Sequence, residues 1–260
     1  MSMAMVSPMW SSVPTFEAGR VYVLYGPWQP GERIDLADST RPMSVVYGID
    51  AVDHAGSTVA SGDVNGDGFD DVIIGAAALG TLRNAYNIAG GAGDGPNNDR
   101  HNAGEVYVVF GADDLPRDID LLANPPADLL VVYGADGGGS SPDRLGEEIV
   151  VADINGDGLA DMLLGAYRAD GPDNSRPDAG DVCVVYGASD LPGRVIDLID
   201  PPAGTMLIYG ANDQAIAGDA IAAGDIHGDG FDDLFIGVPG DSGPLNRRFS
   251  GGIVVIAGGH

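Results

Sequence analysis

Asp63-Val64-Asn65-Gly66-Asp67-Gly68-Phe69-Asp70-Asp71 runs straight into Val72-Ile73-Ile74-Gly75, and this pattern decides the fold because the chain writes it three times. It returns as Asp153-Ile154-Asn155-Gly156-Asp157-Gly158-Leu159-Ala160-Asp161 before Met162-Leu163-Leu164-Gly165. The third copy is Asp225-Ile226-His227-Gly228-Asp229-Gly230-Phe231-Asp232-Asp233 before Leu234-Phe235-Ile236-Gly237. The offsets are 90 and 72 residues. Three further motifs interleave in constant order. One is Ala18-Gly19-Arg20-Val21-Tyr22-Val23, Ala103-Gly104-Glu105-Val106-Tyr107-Val108 and Ala179-Gly180-Asp181-Val182-Cys183-Val184, with a looser Gly251–Val255. Ile-Asp-Leu stands at 34–36, 119–121 and 196–198. Val45-Val46-Tyr47-Gly48, Val131-Val132-Tyr133-Gly134 and Leu207-Ile208-Tyr209-Gly210 complete the set. A fixed order of several motifs marks one supersecondary module, here of roughly 75 residues.

The β-branched and aromatic runs of four to eight residues, bounded by Gly, Asp and Pro, predict strands. No stretch carries a helical period over ten or more residues. Each module reads as four strands: one before the Asp loop, one after it, the Gly-x-Val-Tyr-Val run and the Val-Val-Tyr-Gly run. The expected fold is all-β, four-stranded antiparallel units in tandem, as in propeller blades. A parallel β-helix fits less well, because its repeats are much shorter. The expected organisation is a single repeat domain over 1–260. It has an N-terminal partial blade at 1–50, blades at 57–134 and 147–210, and a C-terminal partial blade at 220–257. Two strands are expected near 20–26 and 43–48, and Ala4-Met5-Val6-Ser7-Pro8 resembles a third. The total is about 3.5 blades, where closed propellers have about four to eight. Three outcomes stay open: a ring of about four blades closed by both termini, assembly with copies of itself, or a piece of a longer protein. Self-association into a homo-oligomer or polymer through open blade edges is preferred, because an unclosed array has heterologous ends and exposed strand edges.

The Asp loops carry the chemistry. Asp-x-Asn-x-Asp-Gly-x-x-Asp places side-chain oxygens at positions 1, 3, 5 and 9, and a main-chain carbonyl at position 7 would complete a ring. A hard cation asks for this, several oxygens at about 2.4 Å in a compact turn. The candidate calcium ligands are Asp63, Asn65, Asp67, Phe69 (carbonyl) and Asp71 in the first loop, and Asp153, Asn155, Asp157, Leu159 (carbonyl) and Asp161 in the second. Asp225, Asp229, Phe231 (carbonyl) and Asp233 form a weaker third set, since His227 replaces the Asn and imidazole suits calcium poorly. These are not EF-hands, because position 12 is Ile74, Leu164 and Ile236 rather than Glu. Asx turns without metal are the alternative. Asp70 and Asp232 are expected to face solvent or pair with Arg.

These residues resemble the FG-GAP repeat family, the blades of integrin α-subunit propellers and of many bacterial surface proteins. The resemblance covers nearly the whole chain. The Phe-Gly slot reads Ala55-Gly56, Leu145-Gly146 and Ala217-Gly218, so the Gly is kept and the Phe is lost. The Gly-Ala-Pro slot reads Gly75-Ala76-Ala77, Gly165-Ala166-Tyr167 and Gly237-Val238-Pro239. The resemblance implies calcium held in hairpin loops on one face, between the first two strands of each blade.

The remaining sequence narrows the function. Five Glu, 34 Asp, 12 Arg and no Lys give a net charge of −27. That excludes nucleic acid and anionic membrane surfaces as expected partners, and no apolar run reaches the length of a membrane span. Salt adaptation or a GC-rich genome would explain the acidity as well as metal binding does. Cys183 stands alone in an apolar run and reads as a small hydrophobe. The Gly-rich insert 79–102 reads as a surface loop or a ligand-contacting one. Neither Gly-x-Ser-x-Gly nor His-Glu-x-x-His occurs, and His54, His101, His227 and His260 lack ligand-spaced partners. The expectation is therefore not an enzyme. It is a calcium-binding, extracellular or cell-surface β-propeller module for adhesion or self-assembly, with an extracellular protein or glycan as ligand. The alternatives are a lectin, whose sugar platforms would come from Tyr22, Tyr47, Tyr107, Tyr133, Tyr186 and Tyr209 or from Trp10 and Trp28, and a non-catalytic domain of a larger secreted hydrolase.

Overall fold

The strand that follows each Asp loop is apolar on consecutive residues, and the structure shows why: both of its faces are covered. The computed structural model describes residues 18–27, 29–38, 40–50, 53–77, 95–137, 142–242 and 247–259. Ala4–Pro8, Trp10, Trp28, His260 and most of the 79–102 insert lie outside the described residues. The first sheet contains β1 (Arg20–Leu24) and β2 (Met43–Tyr47). The second contains β3 (Thr58–Gly62), β4 (Asp71–Ala76) and β5 (Glu105–Val109). A short β6 (Asp118–Asp120) follows, and then β7 (Leu130–Tyr133), the outer strand of the second sheet. The third holds β8 (Glu148–Ala152), β9 (Asp161–Ala166) and β10 (Asp181–Val185). Another short strand, β11 (Val195–Asp197), precedes β12 (Thr205–Tyr209), which closes the third sheet. The fourth is β13 (Ile221–Gly224), β14 (Asp233–Val238) and β15 (Gly252–Ile256).

Within each sheet the named runs pair antiparallel, in chain order. The structure adds one device beyond the four-stranded unit. β6 and β11, which carry the Ile-Asp-Leu motif, leave their own repeat and pair parallel with the outer strand of the preceding sheet. Ile119 stands against Val46, and Ile196 against Val132. Sheet orders are therefore β1-β2-β6, β11-β7-β5-β4-β3, β12-β10-β9-β8 and β13-β14-β15. Three-residue strands show no periodicity to read, so the motif is visible in sequence while its pairing is not.

Side chains alternate between the two faces of a strand, and here each face meets a neighbouring sheet. Ile74, Tyr107, Val109 and Val131 pack towards the first sheet with Val46, Ile119 and Leu121. Ile73, Val106, Val108, Leu130 and Val132 pack the other way, against Leu145, Ile149, Met162 and Leu164. Leu163, Val182 and Val184 then meet Ile221, Leu234 and Ile236. Three apolar clusters between four stacked sheets form the core. Cys183 lies in it, 2% exposed, and burial pushes its thiol up to about 12. No helix among the described residues is long and apolar enough to cross a membrane.

Main-chain bonds join each repeat to the next at the Ala-Gly motif. The N–H of Ala55, Leu145 and Ala217 donates to the carbonyl of Ala18, Ala103 and Ala179 at 3.1, 2.8 and 2.9 Å. The stack ends unsymmetrically. Ile253, Val254 and Val255 of β15 are 72%, 44% and 46% exposed, whereas Val106, Tyr107 and Val108 at the same places in β5 are 0% exposed.

Candidate metal-binding loops

Each Asp loop is the turn of a hairpin, joining β3 to β4, β8 to β9 and β13 to β14. The turn needs left-handed backbone at two positions, which glycine supplies at little cost: Gly66 and Gly68 have φ of 78° and 92°. The first Asp organises the turn. Asp63 Oδ1 accepts from the N–H of Gly66 (2.7 Å) and Asp67 (3.1 Å), and its Oδ2 from Gly68 (2.9 Å). Asp153 and Asp225 accept from the corresponding groups of their loops. Asn65 Oδ1 accepts the Asp67 N–H, and its Nδ2 donates to Asp67 Oδ2, both at 2.9 Å. Asn155 repeats this with Asp157. Asp67, Asp157 and Asp229 accept the N–H of Phe69, Leu159 and Phe231.

The last Asp is buried. Asp71, Asp161 and Asp233 are each 0% exposed. Asp71 accepts the N–H of Val64 in its own loop (2.9 Å) and of Gly111 beyond β5 (2.8 Å). Asp161 does so with Ile154 and Gly187, and Asp233 with Ile226 and Gly258. Position 9 thus staples the loop to the third strand of its sheet, a role the spacing alone does not reveal. Burial pushes the carboxyls of Asp71 and Asp161 up, Asp161 to about 6, and the carboxylates at positions 5 and 1 push the same way. A divalent cation relieves that condition.

The loops also bond to one another. The Ala160 N–H donates to the Asp63 carbonyl (3.0 Å) and the Asp232 N–H to the Asp153 carbonyl (3.2 Å). Val64 and Ile154 accept from Ala188 and Gly259, both at 2.9 Å. The three loops therefore stand in a row, each fastened to the next. Asp70 is exposed.

Whether these residues fit a cation depends on the loop. The first two offer four side-chain oxygen donors each, three of them carboxylates, and the chemistry fits a hard divalent ion. As the side chains stand, no three His, Cys, Asp or Glu among the described residues converge closely enough to hold a metal; the carboxylates are turned to backbone N–H groups instead. The third loop offers a different set. His227 Nδ1 lies 2.9 Å from both oxygens of Asp233, and that hydrogen bond holds the imidazole above its ordinary value.

At the strand ends opposite the loops, a cavity of about 430 Å³ opens between the second and third sheets. Asp136, Asp143, Asp170, Asp173 and Asp181 line it with Leu207 and Tyr209. Asp143 is 6% exposed, and burial pushes its carboxyl up to about 7; Asp181 is raised by burial to about 6. A carboxyl raised above its unfolded value stabilises the fold fully below the unfolded value. That contribution is lost as pH rises through the folded one. Stability is therefore expected to fall between about pH 4 and pH 7 at Asp143, and Asp143→Asn is expected to flatten that fall and raise the melting temperature at pH 8. Melting curves across pH for the two proteins check this; parallel profiles would remove Asp143 as the cause. Among the tyrosines, Tyr107 is 0% exposed, Tyr22, Tyr47, Tyr133 and Tyr186 are half-buried, and Tyr209 is 41% exposed.

Two arginines escaped the sequence reading. Arg100 donates to the Gly134 carbonyl (2.7 Å) and forks onto both oxygens of Asp197 (2.7 and 2.8 Å) in the Ile-Asp-Leu of the next repeat. Arg176 donates to the Gly210 carbonyl (2.6 Å) in the same way. The signal was their shared place four residues before Gly104 and Gly180.

Comparison with known proteins agrees with the repeat. A family model described as FG-GAP repeat matches residues 55–109, 145–185 and 217–256. The chain is similar to phosphatidylinositol-glycan-specific phospholipase D of Bos taurus, 26% identical over 82% of this chain and 22% of that protein. The Rattus norvegicus protein of the same name is 31% identical over 74% of this chain and 19% of its own length. Integrin alpha-PS5 of Drosophila melanogaster is 27% identical over 79% of this chain and 17% of its own. The chain thus spans about a fifth of the length of these curated relatives. With three matched segments that together exceed half of the chain, each holding one Asp loop and the strands around it, the protein belongs to the FG-GAP repeat family, and its sheets are β-propeller blades that do not close into a ring.

Proposed function

We propose that this chain is a non-catalytic, calcium-stabilised extracellular β-propeller module that serves adhesion or assembly. The observation that carries the reading is the recurrence of one oxygen-rich hairpin turn at the same place in three successive blades, each loop bonded to the next. Calcium would be held by Asp63, Asn65, Asp67, the Phe69 carbonyl and Asp71, and by Asp153, Asn155, Asp157, the Leu159 carbonyl and Asp161. The ion supplies the charge that offsets these carboxylates and ties the turn in the folded state alone. Asp71 and Asp161 would offer the ion their carboxylates from the buried side of the loop, and the more exposed carboxylates at positions 1 and 5, now bonded to backbone N–H groups, would supply the rest of the negative charge around it. Extracellular placement is supported by the integrin relative and by millimolar calcium being an extracellular regime for such sites.

Asp225, Asp229, the Phe231 carbonyl and Asp233 form the third, weaker site, because His227 occupies Asp233. Calorimetric titration of chelator-treated protein with calcium is expected to give two sites. His227→Asn is expected to give three, by restoring the donor of the other loops. No heat from the first two loops would remove the calcium reading; an unchanged stoichiometry in His227→Asn would remove the role given to His227.

The similarity to a phospholipase over a fifth of its length favours a second reading, a non-catalytic domain within a larger secreted hydrolase. Sequencing the complete open reading frame distinguishes the two.

A further inference from the structure

The Ile-Asp-Leu motif occurs three times, but only two copies have found their place. Ile119 and Leu121 are 4% and 2% exposed, and Ile196 and Leu198 are 2% and 8%, because each segment lies as an added parallel strand on the preceding blade. Ile34 and Leu36 are 37% and 46% exposed, and among the described residues no strand edge receives them. The receiving side shows the matching deficit. β2 and β7 carry an added strand; β12, their counterpart, does not. β12 is half-buried throughout and its Tyr209 is exposed, whereas β2 and β7 are buried up to the final Tyr.

Charge matches as well. Asp197 of the docked segment receives the Arg100 fork, beside Tyr133, whose ring lies 5.9 Å from the guanidinium. Arg176 stands at the equivalent place beside β12, bonded to the Gly210 carbonyl and acting electrostatically on Asp181, but among the described residues no carboxylate lies within ion-pair distance of it. Asp35 is the equivalent of Asp197, and its carboxylate bonds only to the N–H of Ala37 (2.9 Å) within its own turn.

We propose that a second copy of this chain lays its Glu32–Leu36 segment as a parallel strand on the open edge of β12, with Asp35 received by Arg176. The register follows from the two docked copies, in which the Val45 and Val131 N–H donate to the Arg117 and Arg194 carbonyls, and the Leu121 and Leu198 N–H donate to the Tyr47 and Tyr133 carbonyls. In the contact between copies, the Leu207 N–H donates to the Glu32 carbonyl and the Leu36 N–H to the Tyr209 carbonyl. Ile34 lies opposite Ile208 and becomes buried. Seven residues separate this segment from β1 and six separate it from β2. Extended chain of that length spans at most roughly 20–25 Å, and it would have to carry the donor hairpin clear of the acceptor's own β15. Because donor and acceptor surfaces differ, the contact is heterologous and propagates into chains.

Sedimentation over a range of protein concentrations tests this. The wild type is expected to gain mass with concentration, more so at moderate salt, where screening weakens repulsion between copies of charge −27. Asp35→Arg and Arg176→Asp are each expected to weaken association at least about tenfold, the scale of a charge-assisted pair. The double variant, which keeps the wild-type net charge, recovers it. The two single variants mixed together are expected to recover association in alternating order, since each contact then carries either the wild-type pair or its charge reversal, whereas each alone stays weakened. Circular dichroism checks that each variant folds. Independently, an excess of the peptide Gly31–Ala37 is expected to disperse the wild-type assembly, and its Asp35→Arg version is not. A wild type that stays monomeric at every concentration, as when the edge is covered by a following blade of a longer polypeptide, overturns the proposal; so does association indifferent to both reversals and to the peptide. These readouts are masses, so they fail separately from the calcium reading.

Discussion

Removal of calcium is expected to lower the melting temperature by on the order of 20 °C. A ligand that binds only the folded state at a thousandfold excess over its Kd stabilises it by about 4 kcal/mol, and two loops would give about 8 kcal/mol together. One kcal/mol corresponds to about 2–4 °C in a domain of this size. The structure places the effect where it would spread. Asp161 is buried, raised to about 6, and holds both its own loop and Gly187 beyond β10. The Asp63 carbonyl in turn accepts the Ala160 N–H, so a loop that loosens releases its neighbour. Scanning calorimetry in excess chelator and in excess calcium reads the difference, with magnesium as the control that a small, octahedral ion fits this flexible cage less well. Asp67→Ala with Asp157→Ala, both on exposed parts of the loops, is expected to abolish most of the shift while leaving the metal-free melting temperature little changed. Identical curves with and without calcium would end the metal interpretation and leave the loops as Asx turns.

The parts of this architecture legible in sequence are those that obey a local rule. Asp63, Gly66 and Gly68 announce a turn, and Val72-Ile73-Ile74 announces a strand covered on both faces, because Ile73 and Ile74 enter different apolar clusters. What the sequence hides is any residue whose reason lies in another repeat. Ile119 reads as part of a recurring motif, yet its strand partner is Val46, on the outer strand of the preceding blade. Asp71 reads as a cation ligand, and its second task, accepting the Gly111 N–H, depends on how β5 ends. Arg100 gives no local signal of the Asp197 it reaches across to the next repeat. Tyr209 shares its motif with Tyr47 and Tyr133, and is more exposed because no strand is added to its edge. The Ala-Gly recurrence was likewise visible as a pattern before its cause was.

That cause makes a second large effect expected, at Gly104. The residue has φ of 85°, where a side chain costs roughly 1–2 kcal/mol on backbone grounds alone. A Cβ there would also stand 2.2 Å from the Leu145 carbonyl oxygen and 2.3 Å from the Leu145 nitrogen, both main-chain atoms of the next blade. Neither can move without breaking the Leu145 N–H bond to the Ala103 carbonyl, so the blades must separate. Between them lie Val106 and Leu145, 0% and 1% exposed, and separation opens that core. Gly104→Ala is therefore expected to cost about 4 kcal/mol or more, at the far end of single-substitution effects, and to lower the melting temperature by about 10 °C or more. Gly204→Ala supplies the control: Gly204 has φ of 96°, but nothing lies within 4 Å of the added carbon. It carries the backbone strain without the collision and is expected to cost only about 1–2 kcal/mol. Urea unfolding of both variants measures the difference. If they lose the same amount, the Ala-Gly motif is a turn requirement and nothing more; a larger loss at Gly104 identifies it as the point where one blade's backbone is keyed into the next.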